Sequence, residues 1–123
     1  MYADLLVGRT KKFALDNIKF FQRLPKTDEA KIIGKQLLRS ATSVASNYRA
    51  ACRSRSKQEF YAKICIVVEE IDEALFWLEL VAESGIGNKE ECGLIAKESK
   101  ELLYIFSATR KSTKESLNKL RNN

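Results

Sequence analysis

Four bases crowd the stretch SNYRAACRSRSKQEF, Ser46 to Phe60: Arg49, Arg53, Arg55 and Lys57. Bases this dense can track phosphates, pair with acids on another helix, or form a solvated face. The other groups able to do chemistry are the carboxylates Glu69, Glu70 and Glu73 and the thiols Cys52, Cys65 and Cys92. Glu69 and Glu73 stand four residues apart, one turn along a helix. Bundles that hold two metals pair such carboxylates with Glu-x-x-His motifs, and the chain has no histidine. Asp16, Asp28 and Glu29 are poorly placed to complete a central site. The same lack removes the commonest general base, the usual triads and most zinc sites. It also removes helical RNA-cleaving sites built on an Arg-x4-His arrangement. Gly85-Ile86-Gly87-Asn88 lacks the strand before and the Gly-Lys-Ser/Thr after that define a phosphate loop, and reads as a helix stop. The cysteines are odd in number with no C-x-x-C pair, so reduced thiols packed in the core are expected, Cys52 included. The expectation is a protein that is not an enzyme, with no catalytic residue, no metal and no cofactor.

The elements that would carry these residues are helices. Tyr2, Leu6, Phe13, Phe20, Phe21 and Leu24 repeat at helical spacing over about 3–24, and Pro25 disfavours helical geometry at Leu24. Thr27 or Asp28 caps a second helix over about 28–53, with Asp28 and Glu29 suited to its positive end. Ser56 followed by Glu59 is a capping box that opens a third helix over about 57–84. Gly85 stops it in the left-handed conformation. Asn88 and Glu91 repeat the capping pattern for a fourth helix over about 89–117. No useful segment alternates with period two. Four long helices joined by short turns predict an all-α, antiparallel up-down four-helix bundle, one domain over 1–123.

Apolar residues make up 45% of the 123-residue chain, enough for one core. No apolar run is long enough to span a membrane, and MYADLLVGRTKKF lacks the order of a secretion signal, so a cytoplasmic protein is expected. The net charge of +6 is unevenly spread. Residues 1–24, 25–56, 57–87 and 88–123 carry +3, +5, −5 and +3. No acid lies between Ala30 and Gln58, and no base between Ile64 and Asn88. A basic helix thus precedes an acidic one.

Winding the second helix separates three faces. Ile33, Leu37, Ala41, Val44, Ala45, Tyr48, Ala51 and Cys52 form the apolar one. Lys31, Lys35, Arg39, Arg49 and Arg53 fall within about 80° of one another at 3.6 residues per turn. Gln36, Ser40, Ser43 and Asn47 form a small polar face suited to close packing. The third helix carries Phe60, Ile64, Val67, Val68, Ile71, Leu75, Leu78 and Ala82 as a core stripe. Ala62, Ile66, Phe76, Trp77 and Leu80 lie on its other side among Glu69, Glu73 and Glu83. Apolar residues on two sides imply burial on two sides. Self-association through Ile66, Glu69, Glu73, Phe76, Trp77 and Leu80 is therefore expected, with bases of a second copy meeting the acids.

Leu37 to Ile86 resembles the bacterial four-helix-bundle proteins encoded by intervening sequences of 23S ribosomal RNA genes. That family is related to the accessory variability protein of diversity-generating retroelements. Its central phrase runs Asn-Ile-Ala-Glu-Gly-x-Gly-Arg-x-Ser-x-x-Glu-Phe. Asn47, Ser56, Glu59 and Phe60 stand at the matching offsets, after Arg39, Ala41, Ser43 and Val44. Where the family has Glu-Gly and Gly-Arg, this chain has Ala50-Ala51 and Arg53-Ser54, which lengthens helix two and makes the stretch more basic. Any role of the family's glutamate does not transfer. The resemblance implies a homopentamer and a basic surface offered to structured RNA and a reverse transcriptase; Asn47, Ser56 and Glu59 are expected to serve as structural caps.

Two functions follow as expectations. The first is a self-assembling protein that binds RNA or DNA without sequence preference through Lys31, Lys35, Arg39, Arg49, Arg53, Arg55 and Lys57. The alternative is a structural or protein-interaction module whose bases pair with Glu69, Glu70 and Glu73 of a neighbouring subunit, with no nucleic-acid role. No membrane partner is expected.

Overall fold

The computed structural model describes residues 2–122 and is all-α. Its four helices are α1 (Tyr2–Gln22), α2 (Asp28–Cys52), α3 (Lys57–Ser84) and α4 (Lys89–Arg121). α1 stops two residues short of the expected boundary: Arg23 and Leu24 turn back through bonds to the carbonyls of Phe20 and Phe21. Thr27 caps α2, accepting a hydrogen bond from the Ala30 amide. Ser56 caps α3, its hydroxyl accepting from the Glu59 amide at 3.1 Å. Asn88 does the same for α4 with the Glu91 amide. Gly85 closes α3 at φ 77°, a conformation that side-chain-bearing residues resist. α4 runs four residues past the expected end at 117, as far as Arg121.

Among the described residues, α1 packs on α2 and α4, and α3 packs on the same two; the backbones of α1 and α3 do not approach closely. Pairings along α4 run against its neighbours. Cys92 donates to the Leu78 carbonyl and Ser99 to that of Ile71. Arg9 meets Glu98 and Glu101, while Arg23 meets Glu91. All four helices contribute to one apolar cluster, including Phe13, Phe20, Leu37, Val44, Ile64, Ile71, Leu78, Leu102 and Phe106. Tyr48 tilts against Phe106 with ring centres 4.8 Å apart. α1 and α2 approach closely at Gly34, where an added Cβ would lie 2.8 Å from the Phe21 ring. A larger residue there would push the two helices apart.

Three expectations about the core need correction. Cys52 is exposed, because the last residue of α2 stands at the end of the bundle, where no helix covers it. Cys65 is half-buried, and Cys92 alone of the three is fully inside. Tyr2, expected in the apolar repeat of the first helix, is exposed at the start of α1.

Candidate functional site

The expected basic residues all reach solvent. Lys31, Lys35, Arg39, Arg49, Arg53, Arg55 and Lys57 are exposed. The core of α2 is Leu37, Ala41, Val44, Tyr48 and Ala51, so its helical phase turns Lys31, Lys35, Arg49 and Arg53 outward. These four and Arg55 make no ion pair among the described residues. Lys57 donates from Nζ to the Ser116 hydroxyl at 2.6 Å. Arg55 gives its backbone N–H to Glu59 Oε2 at 3.4 Å, which ties the turn into the start of α3.

Arg39 differs. Its guanidinium reaches across to α3, donating to Glu70 at 2.9 and 3.2 Å and also to Glu73. Ser40 donates its hydroxyl to the same Glu73 carboxylate. The Ser40 bond, then that of Arg39, hold the Glu73 carboxyl below its ordinary range. The Trp77 indole N–H lies near enough to add to this effect, but is buried without a hydrogen bond of normal geometry. Glu70 and Glu73 were expected to meet the bases of a second copy. Arg39 engages both within its own chain, so this base and both acids already have a partner in this structure.

Asn47 also needs correction. It lies inside α2 and caps no helix end: its amide donates to the Ser43 carbonyl at 2.9 Å and hydroxyl at 2.8 Å. The small polar face of α2 thus bonds locally or to α3. No histidine, cysteine or acid cluster capable of holding a metal occurs among the described residues.

The outer side of α3 keeps its apolar surface. Ile66, Phe76 and Leu80 are exposed, Phe76 at 52%. Trp77 packs edge-on against Phe76 with ring centres 4.9 Å apart and leans on the core. Helical phase puts Ala62, Ile66, Glu69, Glu73, Phe76 and Leu80 on one stripe. Ile32 adds an exposed aliphatic side chain on α2.

Sequence reasoning missed how the acids elsewhere are used. Arg9 forms a double bond pair with Glu98, both contacts at 2.7 Å, and the Glu98 and Glu101 bonds push its guanidinium pKa up. Lys12 pairs with Asp16, and Arg23 with Glu91. Arg9 of α1 and Arg23 just after it thereby tie this part of the chain to α4.

The family model described as 23S rRNA-intervening sequence protein matches residues 6–108. Among solved structures, the chain is similar to a protein with unknown function from the S23 ribosomal protein family of Bacteroides thetaiotaomicron. The two share 27% identity at a TM-score of 0.79, over 85% of this chain and 97% of the other. No curated protein matches the chain significantly.

Proposed function

The chain belongs to the 23S rRNA-intervening sequence protein family, and we propose that it is a non-enzymatic, self-assembling protein that binds nucleic-acid backbone. One observation carries the reading. Lys31, Lys35, Arg49 and Arg53 are exposed on one side of α2 and form no ion pair among the described residues, while Arg9, Lys12, Arg23 and Arg39 are each matched by an acid. Unmatched bases on one face raise a local positive potential that phosphates satisfy. Such a face has no apparatus for reading bases, so binding follows backbone and shape.

In this reading the chain is a single-domain up-down bundle in the cytoplasm. It assembles through the stripe of Ile66, Phe76 and Leu80, with Glu69, Glu73 and Trp77 at its margin. The pentamer implied by the family resemblance would repeat the basic face around a ring, where several weak contacts act together. Structured RNA and a reverse transcriptase are the partners such an assembly would serve.

The alternative, a module whose bases pair with a neighbour's acids, is weakened by Arg39, which satisfies Glu70 and Glu73 in its own chain. Binding of labelled RNA and DNA at low salt, with and without Arg49→Ala, Arg53→Ala and Arg55→Ala together, separates the two. Lost binding with an intact oligomer supports the proposal. An oligomer broken by the same substitutions, with nucleic-acid binding absent from the unaltered protein, supports the module.

A further inference from the structure

The apolar stripe of α4 ends at Phe106, the last buried residue of the helix. The helix nevertheless continues for four more turns, and none of residues 107–121 is buried. Ser107, Thr109, Arg110, Thr113, Ser116 and Leu117 are half-buried, so partial packing along one side, not full burial, holds these turns. Their charges are Arg110, Lys111, Lys114, Lys119 and Arg121 against Glu115. Bases suit the negative end of a helix, but so many against one acid leave a strong positive field.

The tertiary structure sets this segment beside the bases of the α2–α3 turn. Lys57 bonds to Ser116, and α4 runs on to Arg121, past the level at which α3 begins. Two shallow clefts lie between the two segments. One, of about 400 Å³, is lined by Lys57, Phe60, Ser112, Thr113 and Ser116. The other, of about 410 Å³, is lined by residues including Gln58, Tyr61, Lys114 and Arg121. Arg110, Lys114 and Arg121 share one side of α4, within about 40° at 3.6 residues per turn. No base of either segment forms an ion pair among the described residues, and Glu59 and Glu115 are the only acids in the two stretches. Positively charged side chains from distant parts of the chain thus stand at one end of the bundle, Lys57 on one side of α4 and Arg110, Lys114 and Arg121 on the other.

We propose that this end is a phosphate-binding platform for the backbone of a nucleic acid, built jointly from the α2–α3 turn and the last four turns of α4. It rests on the nucleic-acid reading above and moves the main contact from the length of α2 to the end of the bundle. Hydroxyls of Ser112 and Ser116 supply neutral donors beside Lys57, on the side of α4 away from Arg110, Lys114 and Arg121. RNA and DNA offer the same phosphate chemistry, so both serve as probes.

The test measures binding of a labelled RNA hairpin and a DNA of matching sequence across a salt series. Unaltered protein is compared with an α4 variant, Arg110→Gln/Lys114→Gln/Arg121→Gln, and an α2 variant, Lys31→Gln/Lys35→Gln. The α4 changes fall on unburied positions, and circular dichroism and sedimentation verify that fold and assembly persist. The platform predicts that the α4 variant loses about tenfold or more in affinity at low salt, with the salt slope falling by about 2–3. The α2 variant should lose less than the α4 variant. Equal losses with both nucleic acids mark backbone contact, and a larger loss with RNA marks contacts to its 2′-hydroxyls as well; either supports the platform. An unchanged α4 variant beside a weakened α2 variant overturns the platform and leaves the nucleic-acid reading standing. No binding by the unaltered protein overturns both.

Discussion

At the residue scale, the Arg39–Glu70–Glu73–Ser40 cluster shows how one polar group changes the meaning of a surface. Spacing along α2 placed Arg39 in a basic stripe, and the stripe is there. What spacing could not show is that α2 and α3 pack in the axial register that brings Arg39 to Glu70, since core packing across the bundle sets that register. Glu73 has a depressed pKa in the folded protein. The stability it contributes is thus present above the ordinary carboxylate range and is lost as pH falls through the lower folded value. Ser40→Ala should reduce acid sensitivity in that window, read as a smaller difference in melting temperature between neutral and acidic buffer. An unchanged difference would show that the Ser40 bond has no such effect. Ser56→Ala removes the acceptor at the start of α3 and should cost about 1 kcal/mol in chemical denaturation; a cost near zero would mean that Glu59 and water replace it.

The element scale is where the sequence was most legible. Thr27, Ser56 and Asn88 before the helices, Pro25 between α1 and α2 and Gly85 after α3 are local signals, each acting within a turn of its own position. They marked all four helices to within a few residues. Cys52 escaped the reading because its helical phase is right while its level along the bundle is not. α4 outran the reading by only four residues, because no stop signal lies between 117 and its end at Arg121. Buried Leu78 ties α3 to the core, and Leu78→Ala should cost about 2–5 kcal/mol through lost contacts and a residual cavity. A cost below about 1 kcal/mol would contradict that packing. The exposed stripe of α3 calls for the opposite behaviour. Phe76→Glu should leave the melting temperature of the folded chain nearly unchanged while shifting sedimentation toward the monomer. A variant with unaltered sedimentation would remove the stripe from the proposed interface.

At the scale of the whole molecule, charge is sorted. Acids and bases of α1 and α4 are matched across their contact by Arg9 and Arg23. The outer bases of α2, the α2–α3 turn and the end of α4 have no such partners. The chain divides into segments of net charge +3, +5, −5 and +3, which was visible in the sequence. That Lys57 meets Ser116 was not, because it depends on the axial register of α4 against α3, which core packing sets. No helix among the described residues is long and apolar enough to cross a membrane; the central proposal is that the unmatched bases take the phosphates of a nucleic acid. The most direct test of that central claim is the affinity of the unaltered protein for labelled RNA from low to physiological salt. The account predicts measurable binding at low salt, with the logarithm of the binding constant falling linearly with that of salt concentration, at a slope set by several neutralised phosphates. No binding at low salt, or binding indifferent to salt, would contradict it.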